Sequence, residues 1–350
     1  MKRNFALCAG ALGAALLAAC GGSSDSAPPP AAPAASVVIS SGNQELVARA
    51  AANAVLSSRT AADVTPSSNS GQTQAASTRR TTIAGARSLS AVLLGLTRDA
   101  LIGRVASKTT AAGTSDAVRA QALLSRTEAC AVSGSTTFAL DDRDGNNQAS
   151  PGDVLSVTFS QCRTSATELI DGGVAATYRV VQQTPAVSVT ASVAFTQLTA
   201  TSSEGSFAIN GSFDFAFTRQ GSVDTAQLAI GGNGLAATVA TPNYTDTVTL
   251  LAGYNVTATY DNGAGLSTLA VNGAISATSL GGTIVIGTPL AIRQYDVDPY
   301  PREGQVQVRG VNGGLLVLTV LSTTTVRVQL DANNDGTFEA TRDVPWGDLI

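Results

Sequence analysis

The sequence contains no histidine, and this absence limits its chemistry more than any other feature does. Histidine is the usual general base in enzymes, the central member of the Ser-His-Asp arrangement and the commonest ligand of catalytic zinc. Lysine is almost absent too, because only Lys2 and Lys108 occur, so a Ser-Lys pair would depend on Lys108. The composition therefore predicts a protein that is not an enzyme.

Basic charge and aromatic side chains are also scarce. The chain has 21 Lys and Arg against 25 Asp and Glu, a net charge of -4, and only 5% aromatic residues. Nucleic-acid binding requires a basic patch, so the sequence predicts no nucleic-acid partner. A hydrolase that uses two carboxylates remains a third alternative, although few aromatic rings are present to stack against a sugar.

The first 20 residues have the pattern of an export signal that ends in a lipidation site. Lys2 and Arg3 precede an apolar run over residues 5–17, shorter than the roughly 20 residues that a membrane-spanning helix needs. The run ends in Leu17-Ala18-Ala19-Cys20, which resembles the lipobox of bacterial lipoproteins. The resemblance implies removal of residues 1–19, which changes the net charge from -4 to -6 because Lys2 and Arg3 are lost.

The same resemblance implies that Cys20 is acylated, with palmitate among its acyl chains, and becomes the first residue of the mature protein. Its predicted partner is therefore the lipid bilayer. Gly21, and not aspartate, follows Cys20, and lipoprotein sorting then implies the outer membrane, with the body facing the periplasm or the cell surface. Residues 20–42 include a Pro/Ala/Ser stretch and form the predicted anchor and extended tether.

Residues 43–128 are predicted to form a helical and loop region. Residues 43–57 and 86–105 have apolar side chains at helical spacing. We expect the second helix to cover an edge or an end of a following sheet, and binding to a partner is the alternative.

Residues 129–350 are predicted to form an antiparallel β domain. Val, Thr, Ala, Ser and Gly dominate this region, with apolar residues at every second position and frequent Asn-Gly or Gly-Gly pairs. The prediction for the whole chain is a mainly β fold. It consists of a large curved antiparallel sheet, or an open or partly closed barrel, with one or two N-terminal helices packed on it.

Two Asn-Gly pairs are predicted to lie inside long strands and not in tight hairpins. The apolar residues around Asn210-Gly211 all have odd numbers: Phe207, Ile209, Phe213, Phe215 and Phe217. A two-residue hairpin would place the last three on the opposite face, so the strand should run through with a bend or bulge at Gly211. The apolar residues around Asn272-Gly273 also have odd numbers, so a continuous strand is predicted there as well. The phenylalanine row is also a candidate face for an apolar ligand.

The cysteines that remain after removal of the signal support a disulfide. With Cys20 acylated, Cys130 and Cys162 form the obvious pair in an oxidising compartment. Strands over residues 131–140 and 154–161 place these two cysteines opposite one another if Leu140 faces about Gly152. The sequence therefore predicts a hairpin closed by a Cys130–Cys162 bridge.

Two acidic loops are candidate calcium sites, because calcium takes six to eight oxygen ligands and a regular spacing lets one loop surround it. In the first loop, side chains with oxygen fall at places 1, 3, 5, 7, 9 and 12: Asp142, Asp144, Asn146, Gln148, Ser150 and Asp153. In the second, places 1, 3, 5, 7 and 9 hold Asp331, Asn333, Asp335, Thr337 and Glu339. An ordinary tight turn is the alternative for both, since Asp, Asn and Gly favour turns. A bound calcium ion would be structural.

Several short motifs together resemble a group of proteobacterial lipoproteins that has no assigned activity. They are the lipobox, GDVLSVTFSQC, Tyr300-Pro301-Arg302-Glu303-Gly304, LDANNDGTFE and Trp346-Gly347-Asp348-Leu349. The resemblance implies an architecture and a location in the cell envelope, and no activity.

The sequence leaves three classes of function. The first is a membrane-anchored envelope lipoprotein of structural or binding type, without catalytic residues, whose protein partner is not identified. The second is a periplasmic carrier or chaperone that binds an apolar ligand on the curved sheet. The third is the carboxylate-dependent hydrolase. The position of the phenylalanine row distinguishes the first two classes. Rings that line an open concavity would favour the carrier, and rings packed beneath a helix would favour the structural protein.

Overall fold

The structure, a computed structural model, describes residues 35–62, 122–146, 150–182, 186–203, 205–241 and 244–349. Within these residues there are two helices, α1 (Gln44–Ala62) and the short α2 (Trp346–Leu349). The first seven strands are β1 (Ala122–Ala129), β2 (Ser133–Asp142), β3 (Val154–Arg163), β4 (Leu169–Gln182), β5 (Val187–Ser202), β6 (Gly205–Gln220) and β7 (Val223–Thr241). The others are β8 (Tyr244–Leu250), β9 (Asn255–Asp261), β10 (Leu266–Ala277), β11 (Gly282–Tyr295), β12 (Glu303–Arg309), β13 (Leu315–Val320), β14 (Thr325–Asp331) and β15 (Ala340–Pro345).

All of these strands belong to one antiparallel sheet, so the mainly β prediction is confirmed. The 15 strands follow their order in the chain, with β1 and β15 at the two edges. β8 and β9 occupy one lane between β7 and β10, because each pairs with part of both neighbours. Residues 251–254 form a turn between β8 and β9 within this lane, and the last of them, Tyr254, is fully buried.

The two Asn-Gly pairs lie within continuous strands, as the parity of the apolar residues predicts. β6 runs through Gly211, and a register shift in its pairing with β7 falls between Gly211 and Phe213. β10 runs through Gly273, where a side-chain Cβ would lie only 2.4 Å from the Cα of Tyr254. Both glycines have positive φ angles, 118° and 146°, that other residues rarely adopt. Glycine is therefore required at both positions.

Helix α1 packs on one face of the sheet, which we call the inner face. It contacts β7, β9, β10, β12, β13 and α2. One stripe of small apolar side chains makes this contact and is fully or almost fully buried: Val47, Ala48, Ala51, Ala52 and Val55. The predicted helix over residues 43–57 is confirmed and continues to Ala62, whereas the predicted helix over 86–105 lies outside the described residues.

The segment that leads into α1 crosses the ends of the central strands. The Val37 carbonyl accepts a hydrogen bond from Val311 N at 2.9 Å, and Ser36 Oγ accepts one from Thr283 N at 2.7 Å. Asn312 Nδ2 donates to the carbonyls of Ile39 and Ala332, which joins this segment to the β14–β15 turn. The chain therefore enters the body beside the second acidic loop.

The C-terminal strands form the most regular part of the core. On β12 to β14, Val306 pairs with Leu318, Val308 with Leu316, and Val320 with Val326. Nearly all of these side chains are buried on the inner face, and Val320 is half-buried. Alternation of period two in the sequence thus predicted the buried face of this region correctly.

The disulfide prediction is confirmed, but the predicted hairpin register is wrong by three residues. Cys130 and Cys162 are bonded, with their Cα atoms 5.4 Å apart. Leu140 pairs with Leu155, not with a residue near Gly152. The register shift between Ser133 and Ser135 adds to the difference, because Ser133 pairs with Arg163, and Cys130 reaches Cys162 from the turn between β1 and β2.

β1 is a strand in the region that was predicted to be helix and loop. It occupies Ala122–Ala129, mostly before residue 129, where the predicted β domain begins. Its sequence, ALLSRTEA, contains good helix formers and no β-branched residue except Thr127, so propensity gave no signal.

Candidate metal-binding turns

The first acidic loop connects β2 to β3, and its two outermost carboxylates are buried. Asp142 ends β2 and Asp153 immediately precedes β3, and neither side chain is exposed to solvent. Strand pairing beside the turn brings these two residues together although ten residues separate them. Asp144 lies between them on the exposed side of the turn.

Backbone amides of the loop surround its carboxylates. Asp142 Oδ1 accepts hydrogen bonds from the amides of Gly145 and Asn146, at 2.7 and 3.2 Å. Asp153 Oδ1 accepts one from the Arg143 amide, and its Oδ2 accepts one from the Ser150 amide. These contacts fix the direction of both buried carboxylates.

Ser150 links the exposed carboxylate to a buried one. Its hydroxyl lies 2.7 Å from Asp144 Oδ2 and 2.8 Å from Asp153 Oδ2. The hydrogen bond from Ser150 is the main cause that holds the pKa of Asp144 below its usual value, with a smaller contribution from the Asn146 amide. The negative charge of Asp144 is therefore favoured at neutral pH.

The second acidic loop connects β14 to β15 and is arranged in the same way. Asp331 ends β14 and is only 2% exposed. Its Oδ1 accepts a hydrogen bond from the Asp335 amide at 3.2 Å, and its Oδ2 accepts one from the Gly336 amide at 2.9 Å. Asn333 Oδ1 accepts another from the Asp335 amide.

Two further side chains close this loop. Asp335 Oδ1 accepts a hydrogen bond from the Thr337 amide at 2.8 Å, which is the main reason that the pKa of Asp335 lies below its usual value. Glu339 Oε2 accepts one from the Ala332 amide at 2.8 Å. The carboxylates of Asp331, Asp335 and Glu339 are thus turned towards one side of the loop.

Each loop brings three carboxylates close enough to hold one metal ion. One group is Asp142, Asp144 and Asp153, and the other is Asp331, Asp335 and Glu339, with ligand oxygens within 4.8 Å of each other in each group. Like charges at this separation repel, and a cation would remove the repulsion. The acidic groups could therefore hold a metal ion, and their oxygen ligands suit a hard one.

The other predicted ligands differ in their position. Asn146, Asn333 and Thr337 lie within the loops and hydrogen-bond to the carboxylates or contribute their backbone amides to them. Gln148 lies outside the described residues. A further carboxylate close to the second loop in sequence, that of Asp343 on β15, forms a two-bond ion pair with Arg327, at 2.8 and 3.0 Å.

The two loops lie at opposite ends of the sheet. β14 is the eleventh lane after β2, and successive lanes run antiparallel, so β2 and β14 run in opposite directions. The turns that follow these two strands therefore project from different ends of the sheet. The second loop is next to the segment that leads into α1, through the bond from Asn312 to Ala332. Any ions bound by the loops would therefore occupy independent sites.

The phenylalanine row does not line an accessible surface. Phe207, Phe213, Phe215 and Phe217 are at most 7% exposed, and Ile209 is half-buried. The rings of Phe213 and Phe195 pack with their centroids 6.0 Å apart. A surface cavity of about 340 Å³ lies elsewhere, above Gly287, and is lined by residues of β10, β11 and β12. Burial therefore favours a packing role for these rings.

Two other acids, Asp224 and Asp246, are buried in the described part of the chain, and neither was predicted as a site residue. Asp224 receives two hydrogen bonds from Arg219, at 2.6 and 2.7 Å, across the β6–β7 turn. Asp246 accepts bonds from Thr278 Oγ1 and from the amide and hydroxyl of Ser279. Both stabilise turns, and only the Arg219-to-Asp224 spacing across a Gly-containing turn was a signal in the sequence.

Comparisons with known proteins give no family for this chain. No family model, no curated protein and no solved structure matches it. Among the described residues, none of the helices has the length and apolar character that crossing a membrane requires. Cys20 lies outside the described residues.

Proposed function

We propose that this protein is a lipid-anchored lipoprotein of the cell envelope, with a β body that has a structural or binding role and no catalytic one. The observation that carries the proposal is the N-terminal sequence, in which a charged start, an apolar run and Leu17-Ala18-Ala19-Cys20 occur in the order of a lipoprotein signal. The disulfide between Cys130 and Cys162 supports it, since such bonds persist in oxidising compartments outside the cytoplasm.

The proposed location is the outer membrane, on the periplasmic or the outer side. Gly21 after Cys20 supports this assignment. The segment 35–40, which enters the body at the ends of β10 to β13, is consistent with a chain that is anchored at one end. From Cys20 to Ala35 an extended chain of 15 residues reaches roughly 50 Å, so the body can stand clear of the bilayer.

Replacement of the lipidated cysteine tests the anchor directly. In a Gram-negative host, we expect the full-length precursor to incorporate labelled palmitate and to fractionate with the outer membrane. Cys20→Ser should abolish both, whereas Cys8→Ser, which changes the cysteine inside the apolar run, should leave both intact. Equal palmitate incorporation by Cys20→Ser and the parent would refute the lipoprotein assignment.

We further propose that the metal of the two acidic turns is calcium and that it orders the turns. The groups offer only oxygen ligands, and the first contains two carboxylates with no exposure to solvent. Burial of negative charges without a cation is costly, so an ion would stabilise the folded protein relative to the unfolded chain. The proposed role of the ion is to stabilise the two turns, and no catalytic role is proposed for it.

Calcium titration of the mature lipoprotein in detergent tests this assignment. If each site has the dissociation constant of about 10⁻⁴–10⁻³ M that is usual for extracellular modules, 10 mM calcium should stabilise the protein by about 1.5–3 kcal/mol per site. Thermal denaturation and isothermal titration calorimetry measure the shift and the stoichiometry. Magnesium at the same concentration serves as the control for ionic strength and for ion size.

Variants distinguish the two turns. Asp144→Asn and Asp335→Asn each change an exposed carboxylate, so both variants should fold, and each should remove one of two binding events. Asp348→Asn changes an exposed carboxylate outside both groups and should bind calcium as the parent does. Absence of a calcium-specific shift in the parent would leave the turns as ordinary Asp/Asn/Gly turns.

A further inference from the structure

Among the described residues, β1 forms an open edge of the sheet. It pairs with β2 over its whole length of eight residues, and no other strand of the described part of the chain pairs with it. Its last five residues, from Ser125 to Ala129, are all exposed. A strand that is exposed on both faces and along one edge can accept another strand.

The backbone groups at this edge point outwards at every second residue. Cys130 N donates to Gly134 O at 3.1 Å, and in an antiparallel ladder alternate residues bond to the same neighbour. Arg126 and Glu128 therefore direct their amides and carbonyls towards β2. The N–H and C=O groups of Ser125, Thr127 and Ala129 consequently face outwards along the open edge.

The opposite edge of the sheet is protected in a way that β1 is not. β15 has only six residues and ends at Pro345, which has no N–H to donate. β1 contains no proline. The two edges therefore differ in their capacity to accept a strand.

The charges of β1 are complementary to themselves. Arg126 and Glu128 lie on the same face, on either side of Thr127, with 2.8 Å between Arg126 Nη2 and Glu128 Oε1. An antiparallel pair of two β1 strands centred on Thr127 places each Arg126 opposite the Glu128 of the other strand. A centre on Arg126 or on Glu128 would instead place like charges opposite each other. The charge pattern thus fits a second copy of β1 in one register.

We propose that β1 is a self-association surface, at which two copies of this chain pair antiparallel about a two-fold axis that passes through Thr127. The contact is isologous, so it closes as a dimer and joins two sheets edge to edge. Its backbone bonds come from Ser125, Thr127 and Ala129, and its side-chain specificity comes from two Arg126–Glu128 pairs.

Thiol crosslinking of the mature lipoprotein in detergent tests the proposal. Thr127→Cys places one thiol on each side of the two-fold axis, and a short bismaleimide should join two copies efficiently. Val297→Cys, at a turn residue that is 87% exposed, measures crosslinking by random collision. The parent protein, which carries neither substitution, measures crosslinking through the Cys20 thiol. Crosslinking of the parent would therefore reveal incomplete lipidation of Cys20.

Charge reversal in the Thr127→Cys background tests the register. Arg126→Glu or Glu128→Arg alone should weaken dimerisation by about tenfold, because two attractive pairs become repulsive. The two reversals together restore opposite charges and should return the crosslinked fraction to that of the Thr127→Cys chain. Ser125→Pro removes only an outward N–H, so it should prevent dimerisation without loss of the β1–β2 ladder.

Each variant is compared with the parent for its Cys130–Cys162 bond and its denaturation midpoint, so that unfolding is not mistaken for dissociation. Crosslinking of Thr127→Cys at the level of Val297→Cys would overturn the proposal. So would single reversals without effect, or a double reversal that fails to recover in a folded protein.

Discussion

At the scale of single residues, Tyr254 connects the broken lane of the sheet to helix α1. Its side chain is fully buried, and its hydroxyl is 3.1 Å from Ser58 Oγ on α1. Gly273 makes room for it, since any Cβ there would clash with the Tyr254 backbone. Burial raises the pKa of Tyr254 to about 12, although its hydrogen bond with Ser58 lowers the pKa slightly.

This shift predicts a loss of stability in alkali. The unfolded chain releases the phenol proton near pH 10 and the folded protein near pH 12, so the stabilisation is complete below pH 10. Between pH 10 and 12 it should fall by about 1.4 kcal/mol per pH unit for this tyrosine alone. Burial also raises the pKa of Tyr178, so a similar loss from Tyr178 should remain in a Tyr254 variant.

Between pH 10 and 12, Tyr254→Phe should make the decrease of the unfolding free energy with pH less steep. The difference corresponds to the release of one proton, about 1.4 kcal/mol per pH unit. Chemical denaturation at a series of pH values measures the slope. Phe217→Leu changes a buried ring that has no ionisable group, so it should retain the parental slope. An unchanged slope in Tyr254→Phe would show that this phenol ionises alike in the folded and unfolded chain.

At the scale of elements, the hairpin of β2 and β3 is held at both ends. The disulfide lies at the β1–β2 turn, and the first acidic loop lies at the other end of the hairpin. The hairpin bulges where Gly134 approaches Gln161, and a Cβ at Gly134 would meet the Gln161 carbonyl. The bridge therefore fixes a register that the bulge alone would leave less defined.

Loss of the bridge should destabilise the protein substantially. The two cysteines are 32 residues apart, for which loop-closure entropy gives about 3–4 kcal/mol. The double variant Cys130→Ser/Cys162→Ser should lower the unfolding free energy by that amount, as urea denaturation would measure. A reductant should shift the parent towards the double variant and leave the double variant unchanged. If the parent and the variant unfold at the same urea concentration, the bridge has no such role.

At the scale of the whole molecule, α1 joins the N-terminal part of the chain to the middle of the sheet. Most strands pair with their sequence neighbours, whereas α1 contacts strands that begin at residue 223 or later. Its small side chains allow a close approach, and Ala51 has no exposure to solvent. The inner face of the central strands is therefore complete only when α1 is in place.

A charge at the centre of this contact should release the helix. Ala51→Glu would bury a carboxylate without a partner and should cost about 3 kcal/mol or more. Lower denaturation midpoints and increased binding of a hydrophobic dye would be the expected signs. Leu46→Glu changes a residue of the same helix that is 42% exposed, and it should alter stability by at most about 0.5 kcal/mol. Equal midpoints for the two variants would contradict this packing.

Much of the fold could be predicted because alternation of apolar residues follows directly from strand geometry. The buried faces of β12 to β14, the continuous strands through Gly211 and Gly273, and the first helix all had a local signal. β1 had none, because Arg126 and Glu128 are not typical of strands and the pairing with β2 holds them there. The hairpin register was missed for a similar reason, since a bulge changes pairing without a change in composition.

The sequence by itself determined the lipoprotein-like N-terminus, the lack of histidine chemistry, the pair of cysteines and the oxygen-rich spacing of the two turns, because each depends on residue type and order alone. Only the tertiary structure decided which carboxylates converge. Asp153 returns to Asp142 through strand pairing, while Asp343 is held by Arg327 and does not reach Asp331. It also decided that the phenylalanine row is buried and that β1 has β2 as its one neighbouring strand among the described residues. Burial and pairing depend on contacts between residues far apart in the chain.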